Sequence, residues 1–181
     1  SSSKGFNIRA PYYRALDDYS ELTITPRIFQ KVNPLLELDY RRKFYTGEVK
    51  IEGSLTYGSV FDRDGDPFDE NDVFVDPNLA PLGKRLRSHV FANALFDFDD
   101  TWRYGGGFQA ASDDLLLDRY DLSERADEFG LYAPDSRRLV SQAFIVGQSD
   151  DFRFSTSAYG FQSLRTSIRE LDDGRFRVSR E

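Results

Sequence analysis

Four features of this 181-residue chain have residue types and spacings that suggest chemistry. The run DRDGDPFDEND, from Asp62 to Asp72, is acidic enough to suggest a calcium loop. An EF-hand loop needs Gly at its sixth position and Glu at its twelfth. Counting from Asp62, those positions are Pro67 and Val73, so the match fails. The run reads as a solvated acidic loop, with Asp62, Asp64 and Asp66 as a weak surface site for a divalent cation. Glu37 and Asp39 share one face of an extended segment, as the paired acids of a glycoside hydrolase must. They alternate with apolar residues and have Arg41 beside them, which describes a hydrated wall of balanced charge better than a cleft. His89, the single histidine, has no Ser or Cys constellation beside it in the sequence and reads as a polar wall residue. Gly105 to Gly107 lacks the phosphate-loop pattern and reads as a bend or a close packing point. No catalytic residue and no cofactor is expected, and the chain is not read as an enzyme.

The elements that position these residues are strands. From Ser20 to Tyr57, three runs alternate apolar and polar residues with period two, the signature of a strand with one face of each kind. Leu22, Ile24 and Ile28 alternate with Glu21, Thr23, Thr25 and Arg27. Leu36, Leu38 and Tyr40 alternate with Glu37, Asp39 and Arg41. Val49, Ile51, Leu55 and Tyr57 alternate with Lys50, Glu52, Ser54 and Thr56. Further strands are predicted over about 87–98, 101–111, 138–147 and 151–164, after the first three at 19–30, 35–44 and 47–57. This gives an all-β fold of about seven antiparallel strands in meander order. The chain is read as one segment: a lead-in over 1–18, the strands over 19–164, and a loop or the start of a further hairpin over 165–181. A helical turn is expected within the polar stretch after residue 113.

Composition narrows the class. Aromatic residues make up 15% and charged residues 30%, a combination that strands with one wet face explain. There is no Cys, so no disulfide framework and no thiolate chemistry. There is no Met, from which the sequence is expected to be a processed or excised segment. The net charge is −7, of which Phe61 to Asp76 carries −6 (seven acids against Arg63). A basic nucleic-acid footprint is missing. No apolar run approaches the ~20 residues of a spanning helix, but the strands of a membrane barrel need only ~9–11 alternating residues each.

Connection lengths point to such a barrel. Turns are short at Tyr45-Thr46, Asp99-Asp100 and Ser149-Asp150, and loops exceed twenty residues after Tyr57 and after Ala111. Short turns on one rim and long loops on the other are an outer-membrane habit. Phe44, Tyr45, Phe96, Phe98, Trp102 and Tyr104 gather near the short rim as an interfacial girdle would. Glu21, Thr23, Glu37, Asp39, Arg41, Lys50, Glu52 and Arg103 then face the lumen. Pro26, in the first predicted strand between Thr25 and Arg27, cannot donate to a ladder, so that strand is expected at an edge or weakly paired on one side. In a closed barrel the first strand meets the last, and these three residues would mark a weak lateral seam.

The order of three blocks resembles one family. Pro11-Tyr12-Tyr13, then Leu22 to Arg27, then Asp39-Tyr40-Arg41 resemble the start of the barrel in the LptD family, also called OstA or Imp. Asp99, Trp102, Arg103, Ser112 and Asp113 match a second block, in which Leu115 or Leu116 stands where an aromatic is usual. The run RLVSQAFIVGQSDDFRFSTSAYGFQSLR is similar to the strand pair that follows. The resemblance implies a large outer-membrane barrel that moves lipopolysaccharide from a periplasmic bridge, LptA, to the outer leaflet, with the plug lipoprotein LptE as partner. The family's jelly-roll domain, its cysteines and most of its strands are missing from this sequence, which corresponds to the front of such a barrel. The reading that competes with it is a soluble, secreted β-sandwich binding carbohydrate or calcium, whose apolar faces would be buried against each other.

Overall fold

The alternating runs form strands, and their partners follow chain order. The structure, a computed structural model, describes residues 5–30, 32–58, 73–75, 85–113, 116–122, 138–164, 166–170 and 176–180. The strands are β1 (Asn7–Arg9), β2 (Tyr12–Asp17), β3 (Ser20–Phe29), β4 (Leu35–Phe44), β5 (Gly47–Gly58), β6 (Val73–Val75), β7 (Arg85–Asp97), β8 (Trp102–Ala111), β9 (Arg138–Gln148), β10 (Arg153–Ser163), β11 (Thr166–Glu170) and β12 (Phe176–Arg180). One short helix, α1 (Leu116–Tyr120), follows β8. The main sheet has nine strands, all antiparallel, in the order β1-β3-β4-β5-β7-β8-β9-β10, with β2 beside β3. It is an open sheet, and the all-β meander expected from periodicity is what forms.

Two expectations need correction. The lead-in, expected to be irregular, is a strand over most of its described residues, 5–18. Asn7 to Arg9 pairs with Phe29 to Arg27, and Tyr12 to Ala15 pairs with Ile24 to Glu21, in one continuous register. β1 and β2 are therefore two halves of a single edge strand. Its outward positions, Ile8, Ala10, Tyr12 and Leu16, do alternate with Asn7, Arg9 and Asp17, but Pro11, Tyr13 and Arg14 blur the pattern. The second correction follows. β3, which carries Pro26, is flanked on both sides, so Pro26 stands one strand in from the edge, and the strand is weakly paired on one side, toward β1 and β2.

The interruption between β1 and β2 has a local cause. Ala10 N–H donates to the Pro26 carbonyl at 3.2 Å. In an antiparallel ladder such a pair exchanges two bonds, and Pro26 has no N–H to return. The missing donor thus faces Ala10 alone. Residues next to each other point their backbone groups to opposite sides, so the nitrogen of Pro11 faces the open edge.

The lead-in strand also settles the turn pattern. Asp18-Tyr19, Tyr45-Thr46, Phe98 to Thr101 and Ser149 to Phe152 all lie on one rim. Asp17 accepts from Tyr19 N–H at 2.8 Å, and Asp99 from Thr101 and Trp102 N–H at 2.8 and 2.7 Å, side-chain mimics of a backbone turn. The glycine run packs closely: a Cβ on Gly105 would lie 2.5 Å from the Ala94 carbonyl oxygen and 2.9 Å from the Phe144 ring. On Gly147 it would lie 2.6 Å from the Trp102 indole, which covers that glycine from the neighbouring strand. β11 and β12 form the hairpin allowed for in the tail, but β12 also pairs in parallel with β6, a pairing that the expected neighbour-to-neighbour order leaves out.

Candidate functional site: the polar face and its cap

Backbone pairing lines the polar residues up in rows across one face. Thr23, Asp39, Glu52, Phe91 and Gln109 stand in register, as do Glu21, Arg41, Lys50 and Asn93. A third row is Thr25, Glu37, Ser54 and His89, and a fourth is Arg9, Arg27, Leu35, Thr56 and Arg87. Thr25, Arg27, Glu37, Glu52, Ser54, Thr56, Arg87, His89 and Gln109 are buried. Leu36, Ile51, Leu55, Val90, Tyr104, Phe108 and Ile145, on the other face, are exposed. The usual relation of a soluble domain is inverted. Across these rows charged and hydroxyl groups are buried, and many aliphatic and aromatic side chains of the other face are exposed.

What covers the polar face is the chain just after β8. Leu116, Leu117, Tyr120 and Leu122 are buried with Phe29, Leu35, Phe91 and Leu139 in one cluster. This cap is held by polar anchors at the long-loop rim. Arg87 grips Asp113 with both ends of its fork, Nε to Oδ2 at 2.8 Å and Nη2 to Oδ1 at 2.7 Å, and Ser112 Oγ donates to the same carboxylate at 3.1 Å. Burial by itself would raise the Asp113 carboxyl. The hydrogen bonds and charge of Arg87, with Ser112 and Arg85, outweigh it and hold the group below the usual carboxylate range. Tyr120 donates its hydroxyl to the Asn33 carbonyl at 3.1 Å and lies 3.2 Å from Thr56 Oγ1. Its ring meets Phe29 edge-on at 5.5 Å, and its carbonyl accepts from Arg27 Nη1 at 3.1 Å.

Arg27 also binds Glu37 at 2.7 Å, and Glu37 holds Arg9 with its other oxygen at 2.9 Å. Glu37 is thus a buried anchor between two guanidiniums, not half of a carboxylate pair with Asp39. Nearer the short rim, Glu21 accepts from Tyr13 at 3.0 Å and has Arg41 at 3.7 Å; Lys50 meets Glu48 at 3.0 Å; Arg103 donates to Asp97 at 2.6 Å.

Strand pairing gives His89 neighbours that lie far from it in the sequence. Ser54 Oγ lies 2.5 Å from its Nδ1, and Glu52 Oε1 lies 3.8 Å from its Nε2. Serine, histidine and glutamate are therefore neighbours. A nucleophile needs a base that is itself oriented by a hydrogen bond, and 3.8 Å is too long for one. All three are buried, so the geometry suits a polar wall better than a reactive site.

The aromatic residues near the short-turn rim touch. Phe96 lies between Phe44 at 5.4 Å and Tyr104, stacked, at 5.5 Å. Trp102 meets Phe152 at 6.1 Å and Phe154 at 5.9 Å. Tyr45 and Phe98 are exposed at the turns. Asp62, Asp64 and Asp66 lie outside the described residues. Among the described residues no helix is long and apolar enough to cross a membrane, which says nothing of strands.

Sequence reasoning did not find Arg9, Arg87 or Tyr120, or assign a role to Asp113. The signal for Asp113 was present as the Ser-Asp pair that closes the Trp102 block; Arg9 needed the register of a strand whose alternation Pro11 hides.

No protein-family model matches the chain. Its sequence is similar to that of the LPS-assembly protein LptD of Chromohalobacter salexigens, with 24% identity over 179 residues. The match takes in 98% of this chain and 20% of that protein, so the chain spans about a fifth of the relative's length.

Proposed function

We propose that this chain is the first part of an outer-membrane β-barrel that assembles lipopolysaccharide at the cell surface. It would take lipopolysaccharide from a periplasmic bridge protein of the LptA kind and work with a plug lipoprotein of the LptE kind. No covalent chemistry is involved. The cargo's sugars pass along the polar face, and its acyl chains enter the membrane through a lateral seam. The similarity to LptD supports this reading.

One observation carries it: the exposed apolar face has the height of a bilayer. The row of Phe44, Gly47 and Phe96 and the row of Tyr57 and Leu86 are ten residues apart along β5. At ~3.3 Å per residue that is ~33 Å of strand. Tilted by ~35–45°, it becomes about 25 Å, the apolar band of an outer-membrane barrel. A soluble domain rarely leaves so tall an apolar surface bare. Among the described residues the charged Arg14 and Arg42 share this face, and these residues place no second sheet on it. That weighs against a secreted sandwich.

The seam, on this reading, runs along the outer side of β1 and β2. Pro11 withholds a donor from it, and Pro26 leaves the edge strand one bond short on its inner side. Pro26→Ala supplies that bond to the Ala10 carbonyl, worth ~0.5–1.5 kcal/mol, and should slow lipopolysaccharide arrival at the surface of cells carrying the full-length protein. A disulfide between the edge strand and the closing strand should stop it. Normal arrival in both would exclude a lateral exit. Normal arrival in Pro26→Ala alone would leave the exit and remove the proline's part in it.

A further inference from the structure

Arg9 and Arg27 stand directly opposite each other on adjacent strands, both on the polar face. Like charges so placed push their strands apart. Glu37 prevents this from one strand further in, with Oε2 on Arg9 at 2.9 Å and Oε1 on Arg27 at 2.7 Å. The three are unequally accessible. The Glu37 side chain is 1% exposed and that of Arg27 9%, but that of Arg9 is 47% exposed. Together they carry one surplus positive charge. Arg9 gives Glu37 a single nitrogen, and nearly half of its side chain is open to solvent. The next step of the ladder is Ala10 against Pro26, where one backbone bond is missing. The edge strand is strapped by a side chain just where its ladder is weakest.

We propose that Arg9 is an oxyanion receptor that couples cargo to the edge strand. It exchanges its one bond to Glu37 for a two-pronged contact with a phosphate-class group carried along the polar face. A guanidinium fork matches phosphate better as a pair of bonds than as one. The exchange is undemanding for Glu37, which keeps Arg27 and so is not left as an unpaired buried charge. Its effect is to undo the strap. The strand then hangs, at that point, on Ala10 N–H alone. This rests on the transport reading in one respect, that the polar face is the path of an anionic amphiphile.

Amide exchange in the detergent-solubilised full-length protein, at matched ionic strength, tests it. The probes are inorganic pyrophosphate and lysophosphatidic acid, the same chemistry free and on a lipid. In the unmodified protein, either probe should speed exchange of the amides around Ile8 and Ala10 about tenfold, with those around Glu52 unchanged. Response to one probe only identifies whether a headgroup or a free phosphate is read. Arg9→Gln should exchange fast without any probe and respond to neither. Arg9→Lys keeps the charge without the fork and should be protected but respond more weakly. An unmodified protein deaf to both probes, or an Arg9→Gln form that responds like it, overturns the proposal. Surface lipopolysaccharide arrival separates the two readings. If the exchange results hold in a protein that delivers none, the receptor stands and the transport reading fails. If delivery is normal and exchange is insensitive, the reverse holds.

Discussion

Asp113→Ala should cost the protein ~3–5 kcal/mol, the usual consequence of removing one partner of a buried ion pair. The side chain of Arg87 is 1% exposed, and Asp113 takes both ends of its fork. Alanine leaves that guanidinium buried with its principal anion gone. It also unfastens the cap, because Asp113 is the last residue before the segment that carries Leu116, Leu117 and Tyr120 onto the polar face. The measurement is the urea unfolding midpoint of the full-length protein. Its control is the pair Arg87→Met with Asp113→Leu, which removes the charge along with its partner and should recover most of the loss. A double variant as unstable as the single one would show that the anchor, not the stranded charge, is what matters. Acid should act on the same pair. The folded Asp113 carboxyl titrates below its ordinary value, so its contribution is complete above the unfolded value of ~3.9. It is lost as pH falls through the lower, folded value. Cap stability should be level from neutrality down to about pH 5 and fall only in stronger acid. Asp113→Asn should remove that acid-dependent part.

The second large effect concerns the outer face. Ile51→Arg should cost ~2–4 kcal/mol, the penalty for a guanidinium at the midplane on the lipid side of a barrel. Ile51 lies on the exposed apolar face, near the middle of β5. Ser54 is a poor comparator for the opposite face, since it is buried against His89 and a longer side chain would not fit. Thr23 serves better. It is half-buried, on the polar face, in register with Asp39, which would receive the new charge. Thr23→Arg should cost well under ~1 kcal/mol, as near-surface or lumen substitutions do. Unfolding free energies of the full-length protein in phospholipid vesicles make the comparison. Equal penalties would mean that the apolar face does not meet lipid, and the transport reading would lose its main support.

The sequence made most of this sheet legible, because a strand's period is short and its two faces differ. From Ser20 to Tyr57 the alternation of Leu, Ile and Val with Glu, Asp, Lys and Thr marks strands and faces without ambiguity. The lead-in strand was obscured by three residues. Pro11 reads as a stop, and Tyr13 and Arg14 each stand on the face that the pattern denies them. Tyr13 tolerates its polar face because its hydroxyl reaches Glu21. The cap was beyond periodicity altogether. Five helical residues have no helical face to detect, and Arg87, Asp113 and Tyr120 meet only after β7 and β8 have paired. The same holds for Ser54 and His89, which are thirty-five positions apart and become neighbours through register.

The meander with its uneven connections also implies an order of assembly. Closing a flexible loop costs free energy that grows as the logarithm of its length, so spans of about 26 residues cost ~2 kcal/mol more than two-residue turns. The residues from Asn7 to Gly58 join through short connections, as do β7 with β8 and β9 with β10. These three blocks are kinetically local, and local pairings form first. The longer closures between β5 and β7 and between β8 and β9 come after. Arg87 and Asp113 belong to one block, so their pair can form early. Tyr120 reaches back to Asn33, Thr56 and Arg27 in another. The cap is therefore a checkpoint on the joining of the first two blocks. Pulse-labelled amides in β3 to β5 should gain protection before the Tyr120 contacts do, and Tyr120→Ala should delay the union of the blocks while leaving each hairpin's own rate alone.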